Sequence, residues 1–421
     1  MRPPPTDPAS VPIRGSLALI RDRHFGVLFW GKLLSNLGTW IHLVVAAIAI
    51  YDSTRSTLWV GLVSAAHFVP QLVLTPWAGA IADRGDLARQ LLAGRAFCVA
   101  GSLFVTLAAW WPSLPEKALL VAVFVGSSIV GVGFAVGGPA QQSIVPLLVR
   151  QGEMSTAMGL NSLPLTVARV AGPVLGAWLA ASWGTAPAFA VATACQGAFA
   201  VLLVMTRFPS MISEEAALDR SFRAALHWVA LDRPLLALLL IVGAVASGAE
   251  SGITLGPAMA ATFEDDERFV GHIVAAFGIG SALAYPVYAV LSRSRPQQQL
   301  ALLGLLTMIV ASGTLAAVDP GGAILALFCL NGVGFMIGFT AATTLVLERV
   351  PRQLRGRVMA LWSLCFVGSR PVAATTQGWM ADILSVPWAL TLTSLLMLGV
   401  LLVVLLGVQS NQWASKAPAH G

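Results

Sequence analysis

The stretch Gly79-Ala80-Ile81-Ala82-Asp83-Arg84-Gly85-Asp86-Leu87-Ala88-Arg89-Gln90-Leu91-Leu92 joins two apolar runs, each long enough to cross a membrane. Asp83, Arg84, Asp86 and Arg89 are thereby confined to a turn between two spans. Outward from that turn, apolar runs and short charged loops alternate along nearly the whole chain.

Composition agrees. With 421 residues, 57% hydrophobic and only 10% charged, and a mean hydropathy of +0.80, the chain has more apolar side chains than a soluble core can hide. A net charge of +6 raises the question of nucleic acid, but the basic residues are scattered instead of gathered on one patch, so no nucleic-acid partner is expected. Cys98, Cys195, Cys329 and Cys365 lie inside apolar runs without paired spacing, which reads as small core residues rather than a disulfide framework or a metal site. No phosphate-binding loop and no catalytic triad is readable, so neither a cofactor nor enzyme chemistry is expected; Gly131, Gly133, Gly137 and Gly138 fall inside a span, where glycines mean close packing.

The expected organisation is an all-α integral membrane protein, with twelve transmembrane helices in two six-helix bundles. Residues 1–25 form a proline-rich, Arg-bearing tail without the apolar core of a cleavable signal. Spans are expected at 26–50, 58–82, 90–111, 118–142, 157–182 and 186–207, the first bundle being 26–207. A polar linker, 208–233, follows, in which Leu218, Phe222, Ala225 and Val229 share a face suited to a surface helix. The second bundle, 234–408, holds spans at 234–262, 269–291, 298–318, 321–347, 358–382 and 386–408, and 409–421 is a tail. Loops on one side carry nearly all the Lys and Arg, the other side only Arg55, Lys117 and Arg268, which places both termini in the cytoplasm and the chain in the inner (plasma) membrane.

Two homologous halves are legible as well. A shift of 201 positions pairs Met158 with Met359, Leu160 with Leu361, Ser162 with Ser363, Arg169 with Arg370 and Trp178 with Trp379, and Asp22-Arg23 recurs as Asp232-Arg233 at a shift of 210.

The opening stretch, with Gly79, Asp83 and Arg84 in register, resembles the loop between the second and third helices of the major facilitator superfamily, and Asp86 resembles its drug:proton antiporter branch, which includes enterobactin and macrolide exporters. Leu87 and Ala88 stand where a basic pair is usual, leaving Arg89. Gly172-Pro173 with Gly176, in a small-residue stripe running from Ala168 to Ala180, resembles the antiporter motif of span five. Glu348 through Val358 resembles the loop between spans ten and eleven in the same branch. The resemblance implies parallel halves that rock in alternating access. It also implies a latch in which Asp83 meets the amino-terminal end of span eleven near Arg355 and Arg357, where a carboxylate is favoured by the helix dipole. Those charges could instead serve only to set topology.

Charges inside spans are the remaining candidates, because each is expensive in hydrocarbon. Glu250 lies deep in span seven and reads as a proton carrier, a cargo contact or the permanent partner of an arginine. Arg169 and Arg370 could receive an anionic cargo or neutralise Glu250; helical spacing puts Arg370, Ala373, Ala374, Gln377 and Gly378 on one face. His42 and His67 could titrate or simply hydrogen-bond, and Asn36 adds a polar group to span one. The expected function is secondary export of a small amphipathic molecule (a drug, siderophore or other secondary metabolite) by a monomer in the lipid bilayer, in exchange for protons. Proton-coupled uptake and a non-transporting receptor on the same fold are the alternatives.

Overall fold

The computed structural model describes residues 14–82, 85–150, 152–206, 208, 229, 231–263, 266–317, 323–350 and 355–407, with the side chains of 263 and 355–357 left out of the description. The apolar runs fold as helices because lipid offers the backbone no other partner for its amides and carbonyls. Among the described residues, twelve are long and apolar enough to cross a membrane. Spans one to six are Phe25–Thr54, Thr57–Ala82, Leu87–Ala109, Glu116–Leu147, Met154–Trp183 and Thr185–Thr206. Spans eight to twelve are Glu267–Leu291, Gln297–Ala317, Ala323–Arg349, Arg355–Ile383 and Val386–Gly407.

Span seven departs from expectation. The continuous helix expected over 234–262 is three pieces, Arg233–Gly248, Ser251–Thr254 and Gly256–Phe263. Gly248, Gly252 and the Gly256-Pro257 pair supply the reason, since glycine weakens a helix and proline removes a backbone donor.

The repeat is visible in the packing. Gly94 of span three faces Gly137 of span four so closely that a Cβ on Gly94 would lie 2.5 Å from the Gly137 nitrogen, and Gly304 of span nine meets Gly338 of span ten in the same way. The shift of 201 relates Gly137 to Gly338, and the shift of 210 relates Gly94 to Gly304. Each half thus contains a matching glycine-lined helix pair whose backbones touch.

The acidic pair of the repeat has matching work. Asp22 accepts the amides of His24 (3.0 Å) and Phe25 (2.9 Å) at the start of span one, and Asp232 accepts that of Leu235 (3.1 Å) at the start of span seven. Carboxylates suit these helix starts, where amides lack intrahelical partners. Each is tied to an arginine: Asp22 to Arg14 at 2.8 Å, Asp232 to Arg349 at 2.8 Å. Arg14 also grips Glu153, at the head of span five, through Nε (3.0 Å) and Nη2 (2.8 Å). These hydrogen bonds from Arg14 pull the Glu153 carboxyl from its ordinary value of 4.5 to about 2.

The chain enters span one and leaves span twelve on one face, here the terminal face; the opposite one is the distal face. Toward the distal face the halves are in backbone contact. A side chain on Gly61 of span two would collide with the Ala374 carbonyl of span eleven, and one on Gly271 of span eight would lie 2.8 Å from the Pro173 carbonyl of span five. Toward the terminal face they part. Span eight exposes only His272 and Ile279 from Phe269 to Ser281, but then Leu283, Tyr285, Val287 and Val290. Span five shows the same change, with Met158, Gly159, Ser162 and Leu163 exposed on its terminal half and only Leu175 and Trp178 between Ala168 and Ala180.

Candidate functional site

The break in span seven puts Glu250 between two helical pieces, at the centre of the bundle and fully buried. Arg370 Nε, from span eleven, donates to Glu250 Oε1 in a close ion pair. Ser64 of span two donates to the other oxygen, Oε2, at 3.2 Å. The Arg370 guanidinium lies 4.0 Å above the ring of Phe68, also from span two. One carboxylate is therefore held by a cation of its own half and a hydroxyl of the other half. A buried pair of this kind is costly to break by removing one partner, because the remaining charge stays in a poor solvent.

Arg169, from span five, has no such acid among the described residues. Its guanidinium lies between the rings of Trp40 (5.5 Å, span one) and Phe335 (5.3 Å, span ten), one from each half. Its Nε is buried without a hydrogen-bond partner among the described residues. Aromatic faces stabilise a cation without neutralising it. Glu250, Arg370 and Arg169 together leave one positive charge over at the seam. Beyond Phe335 the rings of Phe339, Phe366 and Trp362 continue in contact, the last two stacked at 5.4 Å.

The other candidates are placed as follows. His67 precedes Phe68 and is buried among the rings of Phe68 (4.9 Å) and Phe134 (5.9 Å), its Nδ1 without a partner among the described residues. His42 is buried one helix away with Nε2 3.0 Å from the Ser127 hydroxyl. Gln377 is turned away from the seam: its amide donates to the Ser247 carbonyl (3.2 Å) and lies 3.1 Å from the Thr393 hydroxyl, inside its own half. Asn36 Nδ2 is buried without a partner among the described residues.

The span-five motif serves two neighbours. Gly172 and Gly176 face Trp40 and Ile41 of span one, while the Pro173 carbonyl faces Gly271 across the seam. Of the loop candidates, Asp83 and Arg84 and the side chains of Arg355 and Arg357 lie outside the described residues, as does nearly all of the linker helix. Asp86 caps span three through the Ala88 amide (2.9 Å), Arg89 is almost wholly exposed, and nothing lies within 4 Å of the Cβ position of Gly79.

Among the charged residues in or near the spans that escaped the sequence reading are Arg95, Lys32 and Asp382. Arg95, in span three, is buried and donates to Ser35, with its guanidinium 4.9 Å from Phe134 and 5.7 Å from Phe199, and with no carboxylate partner among the described residues. Its signal was present: one arginine inside Leu91-Leu92-Ala93-Gly94-Arg95-Ala96-Phe97-Cys98. Lys32 reaches the Asn161 carbonyl and side-chain oxygens, both at 2.9 Å. Asp382, at the distal end of span eleven, meets Ser56, Thr57 and Leu58, a relation that no local pattern could disclose.

Two parallel six-helix halves, closed at one face and parted at the other around a charged seam, define a membrane transporter of the major facilitator class. The chain belongs to the family described as transmembrane secretion effector, whose model matches residues 14–419. It is similar to the enterobactin exporter EntS of Citrobacter koseri, 26% identical over 399 residues that cover 91% of this chain and 92% of that protein. It is also similar to the enterobactin exporter EntS of Escherichia coli O81, 25% identical over 393 residues and 91% of each chain. Among solved structures, a bacterial homologue of the human lysosomal transporter Spinster, inward-facing and unoccupied, superposes with a TM-score of 0.74 at 15% identity, covering 95% of this chain and all of that one. A POT family transporter in complex with 5-aminolevulinic acid superposes with a TM-score of 0.75 at 12% identity, covering 97% of this chain and all of that one. The protein is thus a multi-pass membrane transporter and not an enzyme.

Proposed function

We propose that the protein exports a small amphipathic molecule, of siderophore or drug-like character, across the cytoplasmic membrane by alternating access in exchange for protons. The observation that carries the reading is the Glu250 carboxylate, shared between Arg370 of one half and Ser64 of the other. An acceptor at the seam can be used by a proton or by a donor group of the cargo, but not by both. Occupation in turn is exchange. The uncompensated guanidinium of Arg169, between Trp40 and Phe335, favours cargo that combines an anionic or acceptor group with an aromatic surface. The relatives named as enterobactin exporters support the outward direction and a siderophore-like cargo. With both termini cytoplasmic, as the basic loops indicate, the parted face opens to the cytoplasm, where export cargo loads.

The test uses inverted vesicles energised to hold protons inside, with a pH-sensitive dye. A catecholate siderophore and a panel of cationic drugs are added to wild type, Glu250→Gln and Arg169→Leu at matched expression. Proton release triggered by one compound class, abolished in Glu250→Gln and weakened at least tenfold in apparent affinity by Arg169→Leu, is expected. Equal proton release in Glu250→Gln and wild type would remove Glu250 from coupling.

A further inference from the structure

At the distal face, span two starts at Thr57, two residues after Arg55, which takes the left-handed conformation (φ 49°) that turns the chain. Its first amides need an external partner, as at any helix start. That partner comes from the other half of the molecule. The carboxylate of Asp382, one residue from the end of span eleven, accepts the amides of Thr57 (2.7 Å) and Leu58 (3.1 Å) and short hydrogen bonds from the Ser56 and Thr57 hydroxyls. The Thr57 hydroxyl also lies 2.8 Å from the Gly378 carbonyl. A turn further along the seam Gly61 and Ala374 are in backbone contact, which leaves no room for the helices to approach closer.

We infer that Asp382 is a distal latch, capping span two in trans only while the distal face is closed and so setting how much of the protein rests open at the terminal face. The inference rests on the alternating-access reading. A helix cap made within one half would survive rocking, whereas this one is severed whenever spans two and eleven part at this end. The negative charge faces the positive end of the span-two dipole, so closure gains an electrostatic contribution that the open state lacks.

The experiment is a distance measurement by pulsed electron paramagnetic resonance in nanodiscs. Trp111 and Leu384, both exposed at the distal face and in different halves, are replaced by spin-labelled cysteines, with Cys98, Cys195, Cys329 and Cys365 changed to Ala. The reference protein should show mainly the short distance. Asp382→Ala should raise the ratio of long to short distances roughly fivefold, the factor lost with one helix cap. Asp382→Asn should fall between, and Ser56→Ala with Thr57→Val should match Asp382→Ala and add little to it. Gly61→Trp, which wedges the distal seam, is the control for rocking. If Gly61→Trp lengthens the distance and neither Asp382 variant does, Asp382 is a local cap and the latch is refuted. If Gly61→Trp also leaves it unchanged, alternating access at this seam fails and the latch falls with it.

Discussion

Removing Arg370 and removing Glu250 should have unequal consequences, and removing both should cost less than the worse of the two. Arg370→Met leaves the Glu250 carboxylate with the Ser64 hydroxyl alone, fully buried between two pieces of a broken helix. Stripping one partner from a buried pair costs about 3–5 kcal/mol. Glu250→Gln is milder, because the amide oxygen still accepts from Ser64 and the freed guanidinium, 13% exposed, retains the Phe68 face at 4.0 Å; losing one charge-assisted hydrogen bond costs about 1.5–3 kcal/mol. In the double variant no charge is stranded, so the two losses should fall short of additivity by about 3 kcal/mol, more than the cost of Glu250→Gln alone. Thermal unfolding in nanodiscs, followed by tryptophan fluorescence at one scan rate, should rank wild type first, then the double variant and Glu250→Gln, then Arg370→Met. A double variant less stable than Arg370→Met by the full cost of Glu250→Gln would mean that the two side chains are not energetically coupled, and the exchange reading of Glu250 would lose its basis.

Acid should release the amino-terminal segment before it disturbs the bundle. The Glu153 carboxyl is held near 2 by Arg14 against an ordinary 4.5, so its contribution is complete above pH 4.5 and is lost as pH falls toward 2; the protection of residues 14–24 against amide exchange, relative to the intrinsic rate at each pH, should fall across that window in wild type and already be low at neutral pH in Glu153→Gln. Arg95→Met should leave the melting temperature unchanged or raise it, because the guanidinium is buried without a carboxylate among the described residues and an apolar side chain removes its desolvation cost. A large drop in melting temperature would show that the Phe134 and Phe199 rings and Ser35 outweigh that cost.

Apolar runs and loop charges carried most of the architecture, because twelve lipid-crossing helices need little beyond length and hydropathy to be read. Glu250, Arg169 and Arg370 stood out for the same reason, each being a charge that hydrocarbon penalises. What the sequence could not supply was helix rotation and partnership. Helical spacing put Gln377 with Arg370 on one face, yet a helix wedged between the seam and its own half can send neighbours on that face in different directions, and Gln377 points to Ser247 and Thr393. Asp382 and Thr57 lie far apart in sequence, so their pairing follows only from how the halves dock. The break in span seven was written in Gly248, Gly252, Gly256 and Pro257, residues that also occur in continuous membrane helices and so do not announce a break by themselves.

The clamp of Arg14 on Asp22 and Glu153 carries a practical consequence for handling this protein. It fastens the entering segment to the head of span five as a guy-rope fastens a mast. A reporter domain fused ahead of Arg14 would tug on that fastening and through it on the helix bearing Gly172, Pro173 and Arg169. One fused at the other terminus would load span twelve, which that clamp does not touch.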